Sequence, residues 1–165
     1  MRLPVDEAFR KYADRVFGAA FSVCRDRADA DDVVQNTFIK YHNLELDYRD
    51  EEHLRAWLLR VAINGAKDAA ASFWRRNRTA WEDSSWKDYM NELAFPEEED
   101  SRLFRAVMDL PRKYRVVIHL FYYEEYSVAQ IAQLLHSREG TVKSQLSRGR
   151  KLLKEKMQEE WDDDE

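Results

Sequence analysis

The chain has 165 residues, of which 36% are charged, a formal net charge of -5 and one cysteine, which excludes a disulfide framework and a cysteine-rich metal site. No run approaches the roughly 18 apolar residues of a membrane span, and the opening MRLPVDEAFRKY lacks the charged-then-apolar order of a signal peptide, so membrane insertion is not expected and a reducing, cytoplasmic setting fits best. Only four Gly and three Pro, with helical periodicity and no alternating strands, predict an all-α chain with room for one ordinary domain or two small ones.

The first predicted helix runs roughly from Val5 to Val23 and buries Ala8, Phe9, Tyr12, Val16, Ala19, Ala20 and Val23. The second follows RADADD and continues to about His42. Its projection puts Val33, Val34, Thr37, Phe38 and Tyr41 on a buried face. The opposite face carries Asp32, Gln35, Asn36 and Asn43, with Ile39 in their midst. A lone exposed isoleucine is ordinary, yet an apolar centre with a polar rim is also what a docking site for a partner helix looks like. Asp29, Asp31 and Asp32 lack a second ligand cluster at matching spacing and read as charges favoured at a helix start, so no metal and no cofactor is expected.

The third helix starts near Glu51 and carries Leu54, Trp57, Leu58, Val61, Ala62, Gly65, Ala66 and Ala69 on one stripe, ending in FWRRNR. Opposite lie Arg60, Ile63, Asn64, Lys67, Ala71, Trp74 and Arg78, with Arg75 at the edge. Cations, an amide and an aromatic on one face suit single-stranded nucleic acid, where charge follows the backbone and rings replace lost stacking. The alternative is a solvated face with Trp74 folded into the following segment. Residues 79–100 read as an acidic, aromatic linker, because from Glu82 to Asp100 there are eight acids against Lys87 alone.

The second module is basic, with 12 Lys or Arg against five acids from Arg102 to Lys156. SRLFRAVMDLP reads as a short helix stopped by Pro111, which also suits the start of the next helix, PRKYRVVIHLFYY. Ser127 and Gln130 form a capping box before QIAQLL, and a short turn at HSR leads into a basic helix, which together make a helix-turn-helix candidate. On that last helix Val142, Leu146, Gly149 and Leu153 face the core. Gly140, Thr141, Ser144, Ser147, Arg148 and Lys151 lie opposite, small enough to let a duplex approach and cationic enough to reach phosphates or guanine edges. Gly140 serves either that approach or close packing on Ala132. The six acids after Met157 form an acidic tail that acts either as a solubility device or as a screen holding the basic helix off DNA.

The stretch LPRKYRVVIHLFYYEEYSVAQIAQLLHSREGTVKSQLSRGRKLL resembles region 4 of extracytoplasmic-function sigma factors, a branch of the sigma-70 family. ADADDVVQNTFIKYH and WLLRVAINGAKDAAASFWRRNR resemble its region 2. The resemblance implies two small helical domains, a region 2 bundle over residues 1–78 and a region 4 helix-turn-helix over 101–158, joined by the linker 79–100 and followed by the tail 159–165. It implies that Asp32, Gln35, Asn36 and Ile39 meet the β′ clamp helices of core RNA polymerase, with Asn36 in place of the usual Glu. It implies that Arg60, Asn64, Lys67, Trp74 and Arg75 meet the single-stranded minus-ten element, with Asp68 a further motif match. Arg138, Thr141, Lys143, Ser144, Arg148 and Lys151 would meet the duplex minus-thirty-five element. The polymerase β flap and an anti-sigma factor are further implied partners. His136 stands where the family usually has a turn glycine, and histidine tolerates the left-handed conformation needed there.

The function expected is therefore promoter recognition, strand opening and transcription initiation with core RNA polymerase. No nucleophile-base pair and no ligand spacing link His42, His53, His119 and His136, so no catalytic residue is assigned and the chain is not expected to be an enzyme. One alternative is a helix-turn-helix regulator whose N-terminal domain senses a signal and which binds duplex operator alone. Another is an all-α hydrolase or adaptor built on the Asp cluster, for which no second half is present.

Overall fold

The computed structural model describes residues 1–76 and 98–163, with side chains over 1–72 and 102–159. The expected linker, residues 79–100, lies outside the described residues except where a helix already begins at Glu98. Among the described residues the chain is helical, without strands, and it divides into an N-terminal and a C-terminal unit. No described helix is long and apolar enough to cross a membrane.

The N-terminal unit packs α1 (Val5–Cys24), α2 (Arg27–Leu44) and α3 (Glu51–Arg76) against one another in all three pairs. α1 starts after Pro4, with Asp6 and Glu7 in its first turn, and stops at Arg25 in the left-handed conformation (φ 52°). The expected inward residues Ala8, Tyr12, Val16, Ala19, Ala20 and Val23 are all buried. Phe9 is not: it is 45% exposed and makes an edge contact with Phe38 of α2, 5.1 Å between ring centres. A period of 3.6 residues assigns Phe9 to the apolar stripe, but it falls on the stripe's margin, where an aromatic ring can lean on a neighbour and remain wet.

α2 begins earlier than its apolar pattern predicts. The Asp26 carboxylate accepts the Asp29 N–H at 2.8 Å, so RADADD forms the first turns of the helix rather than preceding it. In the same way Asp50 caps α3, its side chain accepting the His53 N–H at 2.8 Å. α3 buries more than the expected stripe: Leu59, Ile63 and Ala70 are also in the core, while Trp57, Val61, Gly65 and Ala69 are half-buried. Ile63, expected opposite the stripe, is 2% exposed. The reason is that α3 touches both α1 and α2, so its buried sector is wider than the single stripe of a helix packed on one neighbour.

The C-terminal unit contains α4 (Glu98–Met108), α5 (Arg112–Ile118), a π-helical turn at His119–Tyr123, α6 (Val128–Leu135) and α7 (Glu139–Asp163). Pro111 stands at the cap position of α5. The expected helix PRKYRVVIHLFYY is thus interrupted in register: the Glu124 N–H reaches the His119 carbonyl at 3.3 Å, and the wider turn keeps Leu120 buried while Tyr122 and Tyr123 face solvent. The capping box is present, with the Ser127 hydroxyl accepting the Gln130 N–H at 3.1 Å and the Ser127 N–H donating to Oε1 of Gln130 at 2.9 Å. Val116, Val117, Ile118, Leu120, Ile131, Leu134, Val142 and Leu146 build the core. The last helix continues unbroken through the start of the expected acidic tail to Asp163.

Candidate nucleic-acid interface

The turn between α6 and α7 sets the angle at which the basic helix is presented. His136 ends α6 in the left-handed conformation (φ 52°, ψ 46°), the Ser137 N–H reaches back to the Ala132 carbonyl at 2.8 Å, and α7 then starts at Glu139. The residues expected to meet the duplex, Arg138 just before α7 and Thr141, Lys143, Ser144, Arg148 and Lys151 along it, are all exposed, as are Gly140 and Ser147. Val142, Leu146 and Gly149 are buried on the other side, and Leu153 is half-buried. None of Arg138, Lys143, Arg148 and Lys151 forms an ion pair among the described residues.

Arg138, Thr141, Ser144 and Arg148 share an open groove of about 680 Å³ with Gly140 and Gln145. Lys143 and Lys151 lie outside its lining. The opposite wall, which helical projection of α7 alone does not reveal, is made by Lys113 and Tyr114 of α5. No carboxylate lines the groove.

Two glycines shape this surface differently. A Cβ on Gly140 would meet nothing within 4 Å, so packing on Ala132 is not its purpose and its small size faces open space. A Cβ on Gly149 would lie 2.8 Å from Cδ1 of Ile118 and 3.2 Å from Cβ of Tyr114. Gly149 is therefore what lets α5 come against α7. The π-helical turn is tied to α7 through Arg150, whose Nε donates to the Tyr122 hydroxyl at 2.6 Å and whose guanidinium lies 5.2 Å from the centre of the Phe121 ring. His119, in the same turn, stacks on Tyr123 at 5.4 Å; its Nε2 is shut from solvent without a hydrogen-bond partner, and burial lowers its pKa to about 4.

In the N-terminal unit, Asp32, Gln35, Asn36 and Ile39 are exposed along one stripe of α2, with Ile39 55% exposed. Arg60, Asn64, Lys67 and Asp68 are exposed on α3. The side chains of Trp74, Arg75 and Arg78 lie outside the described residues. Cys24 is buried and its thiol is pushed up to about 11 by that burial, so it packs as a small apolar group.

These surfaces occur in a chain with clear relatives. The family model Sigma-70 region 2 matches residues 8–79, and Sigma-70, region 4 matches residues 100–153. The ECF RNA polymerase sigma-E factor of Haemophilus influenzae is 33% identical over 144 residues, covering 80% of this chain and 76% of that protein. The chain belongs to the extracytoplasmic-function sigma factors of the sigma-70 family. The sigma factor SigL of Mycobacterium tuberculosis is also 33% identical, over 157 residues that cover 92% of this sigma factor and 87% of its relative. The solved structure of the sigma factor RpoE of Bartonella quintana, in complex with the anti-sigma factor NepR, shares the fold. It aligns with a TM-score of 0.68 and 21% identity over 93% of this chain and 96% of the other. This sigma factor accordingly binds RNA polymerase and directs promoter transcription initiation. It is a DNA-binding initiation factor rather than an enzyme of the usual kind, and the operator-binding regulator is not favoured.

Proposed function

We propose that this sigma factor divides initiation among three helix faces, with residues 1–78 acting as the polymerase-docking and strand-opening domain and 101–158 as the duplex-reading domain. The observation that carries the reading is the groove on α7, where Arg138 and Arg148 stand among small and hydroxylated residues with no carboxylate in the lining. Such a face can enter a major groove, with Arg148 aimed at base edges and Arg138, Lys143 and Lys151 at phosphates of the minus-thirty-five element. The region 4 match spans this face.

On α2, Asp32, Gln35, Asn36 and Ile39 meet the β′ clamp helices, with Ile39 as the apolar anchor and the polar residues as its rim. On α3, Asn64 lies near an unstacked base of the minus-ten element and Arg60, Lys67 and Arg75 follow the backbone, with Trp74 supplying a stacking surface. Neither assignment needs a metal or a nucleotide, since strand opening draws on binding energy. The β flap is a second polymerase contact, made by the duplex-reading domain. An anti-sigma factor is a further partner, a reading supported by the NepR complex of the Bartonella protein.

The test is transcription in vitro with purified core polymerase on a library of promoter fragments. Specific start sites that depend on the added chain are expected. Failure to co-elute with core polymerase, or co-elution without any specific start, would overturn the proposal.

A further inference from the structure

We propose that Lys113 and Tyr114, at the start of α5, form the second wall of the duplex-reading groove, where the Lys113 ammonium holds a backbone phosphate flanking the bases read from α7. The inference rests on the reading of α7 as the helix that enters the major groove, and it adds a contact from a helix that lies outside the helix-turn-helix.

Three observations place the ammonium there. Lys113 and Tyr114 line the same groove as Thr141, Ser144 and Arg148. Their position is not an accident of a flexible side chain, because the missing Cβ of Gly149 sets Cβ of Tyr114 against the back of α7. The Tyr114 ring then serves as a platform, with Nζ of Lys113 5.0 Å from its centre. A cation held on an aromatic face keeps its charge and loses part of its rotamer freedom before any ligand arrives.

The charge is also available. Lys113 is exposed and has no carboxylate partner among the described residues. Arg150, by contrast, is engaged by Phe121 and Tyr122. When a helix lies in a major groove of about 12 Å, phosphates run along both rims, so a cation on the neighbouring helix meets one rim while α7 reads the floor. A Lys used this way contributes a point charge that fixes position without choosing a sequence.

The experiment is equilibrium binding of the holoenzyme, reconstituted with core polymerase, to a duplex that the holoenzyme itself selects from a random library, over a series of salt concentrations. Lys113→Ala is expected to lower the slope of log K against log salt by about 0.9, the release of one phosphate's counterion. Affinity should fall by the same factor on the selected duplex and on a scrambled one, and Lys113→Arg should restore the slope. Tyr114→Leu, which removes the platform, should give part of the loss; Lys113→Gln should match Lys113→Ala. An unchanged slope in Lys113→Ala and Lys113→Gln, while Arg148→Ala alters base preference, would overturn the second wall and leave the α7 reading intact. Unchanged affinity and preference in the Arg148→Ala variant as well would overturn the reading beneath it.

Discussion

Along α7 and just before it, the exposed Arg138, Lys143, Arg148 and Lys151 form no ion pair among the described residues, whereas the stripe Asp32, Gln35, Asn36 and Ile39 on α2 holds one acid, two amides and an isoleucine that is 55% exposed. The first surface attracts a polyanion from a distance and releases counterions on contact, so salt weakens it. The second gains when apolar area leaves water, which salt barely opposes. On the proposed reading, one small chain separates a charge-driven contact from an area-driven one by placing them on different units.

The largest expected effect tests the area-driven side. Ile39→Glu puts a charge at the centre of the α2 face and should cost about 4 kcal/mol or more of core polymerase binding, roughly a thousandfold, with helical content intact. Binding within a few fold of the parent, measured by co-elution and titration, would remove α2 from the interface.

The next effect distinguishes the two units by acid. His119 is held neutral in the fold, with a pKa of about 4 against 6.5 for the free side chain. Its depressed value means that only the unfolded chain takes up the proton between those limits. Stability of the C-terminal unit is therefore intact above pH 6.5 and falls as pH drops toward 4, by about 3 kcal/mol in all. Denaturation followed by residue-resolved signals from α6 should show this slope, and His119→Leu should flatten it. A parent unit with no acid sensitivity in that window would contradict the burial of the imidazole.

Arg148→Ala should cost about 1 to 3 kcal/mol of duplex binding and relax base preference at one position, as read by competition between promoter variants. The smallest effect concerns the helix start. Gly140→Ala adds a methyl group that meets open space, so the unit should gain up to about 1 kcal/mol of thermal stability while duplex binding weakens. Gain in both would show that Gly140 is not kept small for DNA.

Much of this is legible in the amino-acid sequence. The polar stripe Asp32, Gln35, Asn36 and Ile39 and the outer face of α7 follow from helical spacing, because each helix shows one continuous face to its own unit. The left-handed turn at His136 follows from the resemblance, which places a turn glycine there, with histidine able to tolerate that conformation. Features that depend on a second or third helix are not legible in this way. Ile63 is drawn into the core because α3 packs on two partners, and Phe9 stays at a margin that no single-helix projection can draw. Lys113 and Tyr114 join the groove only because Gly149 admits α5, a relation across distant positions of the chain. HLFYY shows no spacing that marks its π-helical register.

The unbroken run of α7 from Glu139 to Asp163 has a consequence for the acids at its far end. A rigid helix is a ruler: at 1.5 Å per residue, Asp162 and Asp163 ride roughly 20 Å beyond Arg148 and more than 30 Å beyond Thr141. Physiological salt extinguishes the field of an exposed charge over about 8 Å. That spacing favours the solubility reading of the tail over the screening one, and removing its end is expected to leave polymerase-independent DNA affinity unchanged, whereas a rise would restore the screen.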